Sequence, residues 1–386
     1  MSDIHTYSLQ CLDDEDIDAV LSVLKSPFLT QGPKIEEFER AVCAMVNAKF
    51  ACAVTNATAG LHLAMNAMGI SAGDRVWTTP NTFVATVNTA IQCGASVELI
   101  DISEDSLNIN LDLIETRLAK ITSKQRLPKL IVPVHFGGVP CDMPRLHSLA
   151  EKYGFSILED ASHALGSVQL YDQIGCSKYS DATVFSFHPV KPITSGEGGV
   201  IVTNNNDFIA DLMRMRTHGI ARCNQGPNKG FMIPSYDQIS DGFNYRLSEI
   251  HAALGLSQLR HVFKYAEKRA LLRQRYESNL KEYQVRFQDT GLNNRSTHHL
   301  LVLRFINQYV RDAVATVLSE ANVGINFHYS PIYRHTRHKN LGIPTDFPVM
   351  ENYFATGLTV PLHVNLTIND VDNISSYIIQ VLNDHE

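Results

Sequence analysis

Lys191 is the residue of this 386-residue chain whose surroundings point most directly to chemistry. It lies between Pro189 and Pro192, in the run FSFHPVKPITSGEGG. Each proline lacks an N–H group and restricts φ, so the lysine is presented from a rigid, irregular segment and not from a helix. Residues 182–187 are β-branched and aromatic, which predicts a buried strand that delivers the lysine into a pocket. A desolvated lysine becomes a nucleophile towards carbonyl groups; the alternative is an ordinary surface lysine in a turn.

Asp160 and His163 follow a second apolar segment, in the run FSILEDASH. In a parallel α/β sheet, ligands bind beyond the carboxyl ends of the strands, so these side chains are placed where chemistry is expected. A buried carboxylate requires a cationic partner, and the protonated ring nitrogen of pyridoxal phosphate (PLP) is one. The alternative is structural: Asp160 would cap the following helix and His163 would be a core histidine.

Residues 55–60, Thr-Asn-Ala-Thr-Ala-Gly, also follow an apolar segment and begin a predicted helix. A helix start presents free N–H groups, so a phosphate could dock there with a hydroxyl contributed by Ser186, although simple N-capping explains the same residues. Phe83 follows a further strand and could lie flat on an aromatic cofactor or belong to the core. A lysine, an acid, a phosphate-ready helix start and an aromatic side chain are together the parts that a PLP enzyme needs.

The composition argues against several other classes of protein. A formal net charge of -7 and a pI near 6.1 argue against nucleic acid as the main partner, because phosphate backbones bind basic surfaces. No apolar run is long enough to span a membrane and the acidic N-terminus lacks a signal-peptide core, so we expect a cytoplasmic protein. The seven cysteines are scattered singly without a CxxC pair, which indicates neither a disulfide framework nor a zinc site, and we expect no metal.

These residues must be positioned by alternating strands and helices. From about residue 35 to residue 220, short apolar runs alternate with helical patterns, which is typical of a mostly parallel sheet. The unbroken hydrophobicity of the strands indicates burial on both faces. The predicted strands are 51–55, 75–79, 96–100, 130–134, 156–158, 182–187 and 199–203, and the predicted helices are 35–48, 59–68 and 83–92.

The pattern changes in the last third of the chain. Residues 247–282 carry apolar side chains at helical spacing, which predicts one long helix that connects two domains. Residues 220–241 are rich in Gly, Asn and Pro and predict a long irregular loop. A strand at 299–305 and helices at 310–321 and 370–382 predict a smaller α+β domain. We expect an N-terminal arm (1–20) associated with the small domain, a large PLP-binding domain (21–255), and a connecting helix with the small C-terminal domain (256–386).

Along nearly its whole length the chain resembles a known family, the DegT/DnrJ/EryC1/StrS sugar aminotransferases, which are fold type I PLP enzymes. The resemblance rests on the collinear stretches FLTQGP, GDRVWTTPNTFVAT, VHFGGVPCDM, LEDASHALGS, FSFHPVKPITSGEGG and FNYRLSEIHAALGLSQL. It implies an aspartate aminotransferase-like α/β fold, with a mostly parallel seven-stranded sheet in the large domain and a smaller α+β C-terminal domain. It also implies a homodimer with shared active sites.

The resemblance assigns roles to individual residues. Lys191 is implied as the Schiff-base lysine, Asp160 as the partner of the pyridine nitrogen, and His163 as the contact to the phenolic oxygen of the cofactor. The other implied cofactor contacts are ring stacking by Phe83, phosphate binding by Ala57, Thr58 and Ser186, and a contact of Asn244 with the phosphate of the neighbouring subunit. The residues implied for the sugar-nucleotide pocket, which could equally be ordinary loop residues, are Tyr7, Leu29, Thr30, Gln31, Gly32, His328, Tyr329, Ser330 and Pro331.

The implied reaction is amino transfer from L-glutamate to the C4 keto group of a UDP-linked 4-keto-6-deoxy-HexNAc, a step towards pseudaminic acid. A dTDP- or GDP-linked sugar is the alternative substrate within the family. Dehydratases of the same family carry histidine at the position of Lys191, so the lysine argues against that activity. A nicotinamide-dependent epimerase or dehydrogenase would require GxGxxG after the first strand, and the sequence has none. A non-catalytic sugar-nucleotide binder is disfavoured because the whole catalytic set is retained.

Overall fold

The computed structural model describes residues 6–223 and 235–385, and this part of the chain forms twelve α-helices. Most begin at a residue whose side chain accepts a hydrogen bond from the first helical turn, as Asn56 does. The helices are α1 (Asp14–Leu24), α2 (Pro33–Val46), α3 (Ala57–Ala67), α4 (Val84–Gln92), α5 (Leu111–Ala119), α6 (Met143–Tyr153), α7 (Asn206–Met215), α8 (Glu249–Leu259), α9 (Val262–Leu280), α10 (Gln308–Glu320), α11 (Pro348–Thr356) and α12 (Ile368–His385). Within these ranges, no helix is both long and apolar enough to cross a bilayer.

The same residues form fifteen short β-strands. They are β1 (Phe50–Val54), β2 (Arg75–Thr78), β3 (Ser96–Leu99), β4 (Leu130–Ile131), β5 (Ser156–Asp160), β6 (Val168–Gln169), β7 (Asp172–Gln173), β8 (Ala182–Ser186), β9 (Gly199–Thr203), β10 (Ile220–Cys223), β11 (Ser235–Gln238), β12 (Arg286–Phe287), β13 (Asn294–Arg295), β14 (Leu301–Arg304) and β15 (Gly357–Val360).

Seven strands form the central sheet, in the order β1-β9-β8-β5-β4-β2-β3. Strand β9 is antiparallel to both of its neighbours, and all other pairs are parallel. This confirms the predicted mostly parallel seven-stranded sheet. Because Asp160 of β5 pairs with Val184 of β8, the carboxyl ends of these strands lie side by side. The loops that carry Asp160 and Lys191 therefore leave the sheet at the same edge.

Helices cover both faces of this sheet, because successive side chains of a strand point to opposite sides. In β8, Val184 packs in the same core cluster as Leu61 of α3, whereas Phe185 packs with Phe38 of α2. All four side chains are fully or almost fully buried. Helices α2 and α8 thus cover one face beside β1, β8 and β9, and α3 and α7 cover the other.

The C-terminal part has its own sheet and core. Strands β12, β14 and β15 form a three-stranded antiparallel sheet. Its core joins Leu303 of β14 to Tyr276 of α9, Val314 of α10 and Ile378 of α12, all fully buried. This arrangement confirms the smaller α+β C-terminal domain, while the exact domain boundaries stay predictions.

The single long helix predicted over residues 247–282 is wrong, since the structure has two helices that are separated at Arg260 and His261. Asp13, which caps α1, forms an ion pair with Arg260 and lies 3.1 Å from His261 Nε2 through its Oδ2. The apolar spacing continues across this break and no Gly or Pro marks it. The contact that accompanies it comes from a residue nearly 250 positions away, which a local pattern does not reveal.

The predicted irregular loop over residues 220–241 is also partly wrong. Its two ends are strands β10 and β11, which pair in antiparallel fashion with Ile220 opposite Gln238. Residues 224–234 lie outside the described residues. The strand predicted over residues 130–134 is shorter than expected, because ladder pairing of β4 stops before Pro133, which has no N–H to donate.

Candidate active site

The segments that follow β1, β2, β5 and β8 meet around a cavity of about 740 Å³, a volume suited to a cofactor or small substrate. Loop residues from the C-terminal part of the chain close its other side. Ten residues predicted for the site line this cavity together: Tyr7, Ala57, Thr58, Phe83, Asp160, His163, Ser186, Lys191, His328 and Tyr329.

Lys191 lies in the turn after β8, where its N–H donates to the carbonyl of His188 at 2.9 Å. Burial lowers the pKa of the Lys191 ammonium to about 8, even though the Asp160 carboxylate favours the charged form. In the described part of the chain, Lys191 is the one lysine or arginine that lines the cavity. A substantial fraction of its amine is therefore neutral near pH 8 and able to act as a nucleophile or base.

Asp160, at the end of β5, is buried and held by hydrogen bonds at both carboxylate oxygens. Thr86 of α4 donates its hydroxyl to Oδ2 at 2.8 Å, and Ser162 donates its hydroxyl to Oδ1 at 2.6 Å. The Thr86 hydroxyl oxygen also lies 2.8 Å from that of Thr82. The carboxylate is thus oriented at the cavity wall, where it suits a cationic N–H group of a ligand.

His163 is a neutral imidazole with a defined tautomer. The backbone N–H of Gly137 donates to its Nδ1 at 3.2 Å, so the proton lies on Nε2, which donates to the Tyr329 hydroxyl oxygen at 3.1 Å. Burial and the nearby Lys191 lower the pKa of His163 well below its ordinary value. Burial also raises the pKa of Tyr329, so its hydroxyl keeps its proton and can donate into the cavity.

Two further histidines complete this wall. The ring of His299 lies 4.5 Å from that of His163, and the ring of His328 lies 5.2 Å from that of Tyr7 in an edge-on arrangement. Burial, with a contribution from Lys191, lowers the pKa of His328 to about 3 and that of His299 well below its ordinary value. The imidazoles of His163, His299 and His328 are therefore uncharged at neutral pH and add no positive charge beside Lys191.

The beginning of α3 forms a site suited to an anion. The Asn56 side chain accepts from the N–H of Ala59. The N–H groups of Ala57 and Thr58 lie in the first turn and therefore have no intrahelical acceptor. A Cβ atom on Gly199 would lie 2.6 Å from the Ala57 nitrogen, so only glycine allows β9 to approach the helix start this closely. Thr58 is exposed towards the cavity and Ser186 lines it from β8. Both hydroxyls and the helix dipole favour a phosphate group here.

Phe83 caps α4 and remains 58% exposed although it lines the cavity. Its ring lies 6.3 Å from that of Tyr329. An aromatic ring of the core is normally buried. An exposed ring that lines a cavity instead suits a residue that a planar ligand covers.

Several predicted site residues do not line the cavity of this chain. Asn244 is exposed and forms an isolated bridge with Thr217. The 29–32 segment lies beside the start of α8, where the Leu29 carbonyl accepts from the Glu249 N–H. Ser330 and Pro331 lie just beyond the cavity-lining Tyr329. The roles given to these residues stay predictions.

The cavity also includes residues that the sequence reasoning missed, namely Asn326, His299 and Glu197, and Thr86 contacts it through Asp160. A signal for Thr86 existed, since it lies three residues after Phe83 on a predicted helix and so shares its side of the helix. His299 and Asn326 lie far along the chain in the C-terminal part, and no local pattern marks them.

Known proteins resemble this chain in both sequence and fold. Residues 10–379 match the family described as "DegT/DnrJ/EryC1/StrS aminotransferase family". The chain is 36% identical over 380 residues to the UDP-4-amino-4,6-dideoxy-N-acetyl-beta-L-altrosamine transaminase of Campylobacter jejuni subsp. jejuni serotype O:23/36 (strain 81-176), with 98% of this chain and 97% of that protein covered.

Solved structures give the same result. Helicobacter pylori PseC, an aminotransferase involved in the biosynthesis of pseudoaminic acid, has a TM-score of 0.89 and 30% sequence identity, covering 99% of this chain and 100% of that chain. The putative sugar aminotransferase Spr1654 from Streptococcus pneumoniae, in its PLP form, has a TM-score of 0.88 and 26% identity, covering 98% of each chain. With a family match over nearly its whole length and with Lys191 and Asp160 lining one cavity, the chain belongs to the DegT/DnrJ/EryC1/StrS aminotransferase family.

Proposed function

We propose that this chain is a PLP-dependent aminotransferase that moves an amino group from L-glutamate to the C4 keto group of a UDP-linked 4-keto-6-deoxy-HexNAc. The product is UDP-4-amino-4,6-dideoxy-N-acetyl-β-L-altrosamine, an intermediate for pseudaminic acid. The observation that carries the proposal is the shared cavity of Lys191 and Asp160, in which the lysine pKa is lowered to about 8. The name of the Campylobacter relative and the pathway of PseC support the substrate.

The residues of the cavity fit PLP at each of its chemical groups. The start of α3 with Thr58 and Ser186 suits the phosphate, and the exposed face of Phe83 suits the pyridine ring. The oriented carboxylate of Asp160 suits the protonated ring nitrogen, and His163, together with the Tyr329 hydroxyl to which it donates, suits the phenolic oxygen. When bound, PLP supplies an aldehyde carbon that primary amines attack and a ring that accepts electrons.

Lys191 has two tasks in this mechanism. Its Nζ atom would be the nucleophile towards the aldehyde carbon of bound PLP, because burial keeps a substantial fraction of the amine neutral. The same Nζ atom would accept the proton from Cα of glutamate and release it to the cofactor, which is the proton transfer that amino transfer requires. A pKa of about 8 suits both directions of transfer near neutral pH, since the amine can both accept and release a proton.

Asp160 and its hydrogen-bond partners suit a protonated ring nitrogen. A carboxylate at the ring nitrogen keeps that nitrogen protonated, and the hydroxyls of Thr86 and Ser162 hold the carboxylate in place. The neutral wall of His163, His299 and His328 adds no positive charge that would compete with the ring nitrogen for this carboxylate.

We also infer that a second copy of the chain completes the site and that the enzyme acts in the cytoplasm. Asn244 and the 29–32 segment are exposed or half-buried outside their own cavity. Solvent-exposed polar and apolar groups of this kind suit contacts across a dimer interface. In that arrangement Asn244 would reach the phosphate bound by the partner, and the 29–32 segment would border the sugar nucleotide.

A two-stage absorbance experiment tests the function. PLP-loaded protein is first treated with L-glutamate, which should convert the cofactor to its amine form and abolish its visible absorbance. After glutamate is removed, a panel of UDP- and dTDP-linked 4-keto sugars is offered. Recovery of the visible band with the UDP-linked 4-keto-6-deoxy-HexNAc is the expected result, and Lys191→Ala should show no conversion. Recovery with only a dTDP sugar would contradict the proposed substrate, and no response to glutamate would contradict amino transfer from it.

A further inference from the structure

Arg269 of α9 is a buried cation without a carboxylate partner among the described residues. It is 5% exposed, and its hydrogen bonds go to neutral carbonyl groups: Nε donates to Thr297 at 2.8 Å and Nη1 donates to Pro192 at 3.3 Å. Its Nη2 atom has no hydrogen-bond partner in the described part of the chain. Burying an uncompensated guanidinium costs several kcal/mol, so a residue placed here is a candidate for a role beyond packing.

One of the two acceptors of Arg269, the Pro192 carbonyl, belongs to the loop that carries Lys191. The Pro192 carbonyl follows Lys191 directly, and the Val190 carbonyl precedes it and accepts from the Ser8 hydroxyl at 2.9 Å. A side chain from outside the loop thus holds the carbonyl of the residue on each side of Lys191. The Val190 carbonyl lies in the peptide plane that precedes the Lys191 Cα, and the restricted φ of Pro192 links its carbonyl to the plane that follows, so the two contacts limit movement of the backbone that carries the lysine.

The other acceptor of Arg269, the Thr297 carbonyl, belongs to a segment that is hydrogen-bonded to His163. The Thr297 hydroxyl donates to the His163 carbonyl at 2.9 Å, and the Thr297 N–H donates to the Ser167 hydroxyl at 3.1 Å. A Cβ atom on Gly138 would lie 2.5 Å from the Thr297 hydroxyl oxygen, so the three segments pack without spare room. Two residues after Thr297, His299 contacts the His163 ring.

We propose that Arg269 is a positioning residue that holds Lys191 and His163 in a fixed relation, through the carbonyls of Pro192 and Thr297. The inference rests on the proposed function, since it assumes that Lys191 is the residue that binds PLP. A planar guanidinium suits the task because it donates to two acceptors in fixed directions, whereas a lysine ammonium is a point charge on a flexible stem. Arg269 acts through its two acceptors and does not line the main cavity.

The test compares R269K, which keeps the charge and loses the fork, with the wild-type protein. The rate at which added PLP attaches to Lys191 is measured across pH 6.5–10 by absorbance, with borohydride trapping and intact mass to count modified sites. We expect R269K to attach PLP roughly tenfold more slowly, as small displacements of reacting groups commonly do. We also expect the midpoint of its pH profile to rise, because a looser loop lets water reach Lys191 and restores its ordinary pKa.

Arg275→Lys is the matched control. Arg275 is an arginine of the same helix, but it pairs with Asp372 of α12 and is exposed on the surface. Its replacement is expected to leave the rate and the pH midpoint unchanged. If R269K is too unstable to purify, Thr297→Val gives the same readout, since it removes the hydroxyl that links the Arg269 acceptor to His163.

The outcomes separate this inference from the proposed function. A variant that melts at a lower temperature but attaches PLP at the wild-type rate and with the wild-type midpoint would show that Arg269 is structural only, and the inference would be wrong. Wild-type protein that attaches no PLP at Lys191 would instead overturn the proposed function.

Discussion

The Thr86 hydroxyl of α4 donates to Asp160 Oδ2 of β5 at 2.8 Å, across 74 positions of the chain. Phe83 caps the same helix and presents its ring to the cavity. One helix therefore carries both the aromatic surface offered to a planar ring and the donor that orients the carboxylate for the nitrogen of that ring. Movement of α4 would alter both contacts together.

Thr86→Val should weaken PLP binding by about tenfold. It removes the hydroxyl that donates to Asp160 Oδ2, and hydrogen bonds to charged groups contribute about 1.5–3 kcal/mol. Thr89→Val is the matched control, since Thr89 is equally buried on α4 but donates to the Ala85 carbonyl of its own helix. Equilibrium titration with PLP measures the effect. Equal PLP affinities of the two variants would show that the Thr86 contact does not support the cofactor site.

Replacement of His163 should depend on whether the new side chain can donate to Tyr329. Glutamine places an amide N–H near the position of Nε2, so His163→Gln should keep PLP affinity within about threefold, whereas His163→Leu should lose about tenfold by leaving polar groups unpaired. Titration of both variants with PLP provides the measurement. A leucine variant that binds PLP as well as the glutamine variant would mean that this donor is dispensable.

Burial of Lys191 should make the stability of the PLP-free protein depend on pH. The pKa of Lys191 is about 8 in the folded chain and about 10.5 when exposed, so the unfolded chain binds one more proton between these values. Stability should therefore rise with pH in this window by up to about 1.4 kcal/mol per unit relative to Lys191→Met, which cannot titrate. Below pH 8 the two curves should run in parallel. Urea unfolding from pH 7 to 10 measures this, and parallel curves throughout would contradict the lowered pKa.

Gly199→Ala should damage the phosphate site. The added Cβ would lie 2.6 Å from both the Ala57 nitrogen and the Asn56 carbonyl carbon, which are backbone atoms that cannot rotate away. We expect a loss of stability of about 1–3 kcal/mol, typical of overpacking, together with weaker PLP binding. Thermal unfolding and PLP titration measure the two effects. Normal affinity for PLP in this variant would place the phosphate away from the start of α3.

The sequence was informative where the signal was local. The prolines around Lys191, the acidic end of the strand before Asp160 and the helix start at residues 55–60 each carry their meaning in consecutive residues, and the structure brings them to one cavity. Seven apolar runs sufficed to predict the seven strands of the main sheet.

What the sequence did not reveal depends on contacts between distant segments. Arg269 reaches Pro192 and Thr297 only because the chain folds back past α9, and the break at Arg260 meets Asp13 of the N-terminal segment. His299 faces His163 across 136 positions. No spacing rule connects such residues, and an intersubunit contact such as that predicted for Asn244 requires a second chain.

Peptide mapping tests most directly the proposal that Lys191 binds PLP covalently. The PLP-loaded protein is reduced with borohydride, digested and analysed by mass spectrometry, with Lys191→Ala treated in parallel. We predict that the pyridoxyl phosphate group is found on Lys191 at close to one per chain and is absent from the variant. Stable modification of a different lysine, or PLP that is never trapped on Lys191, would contradict this account of the site.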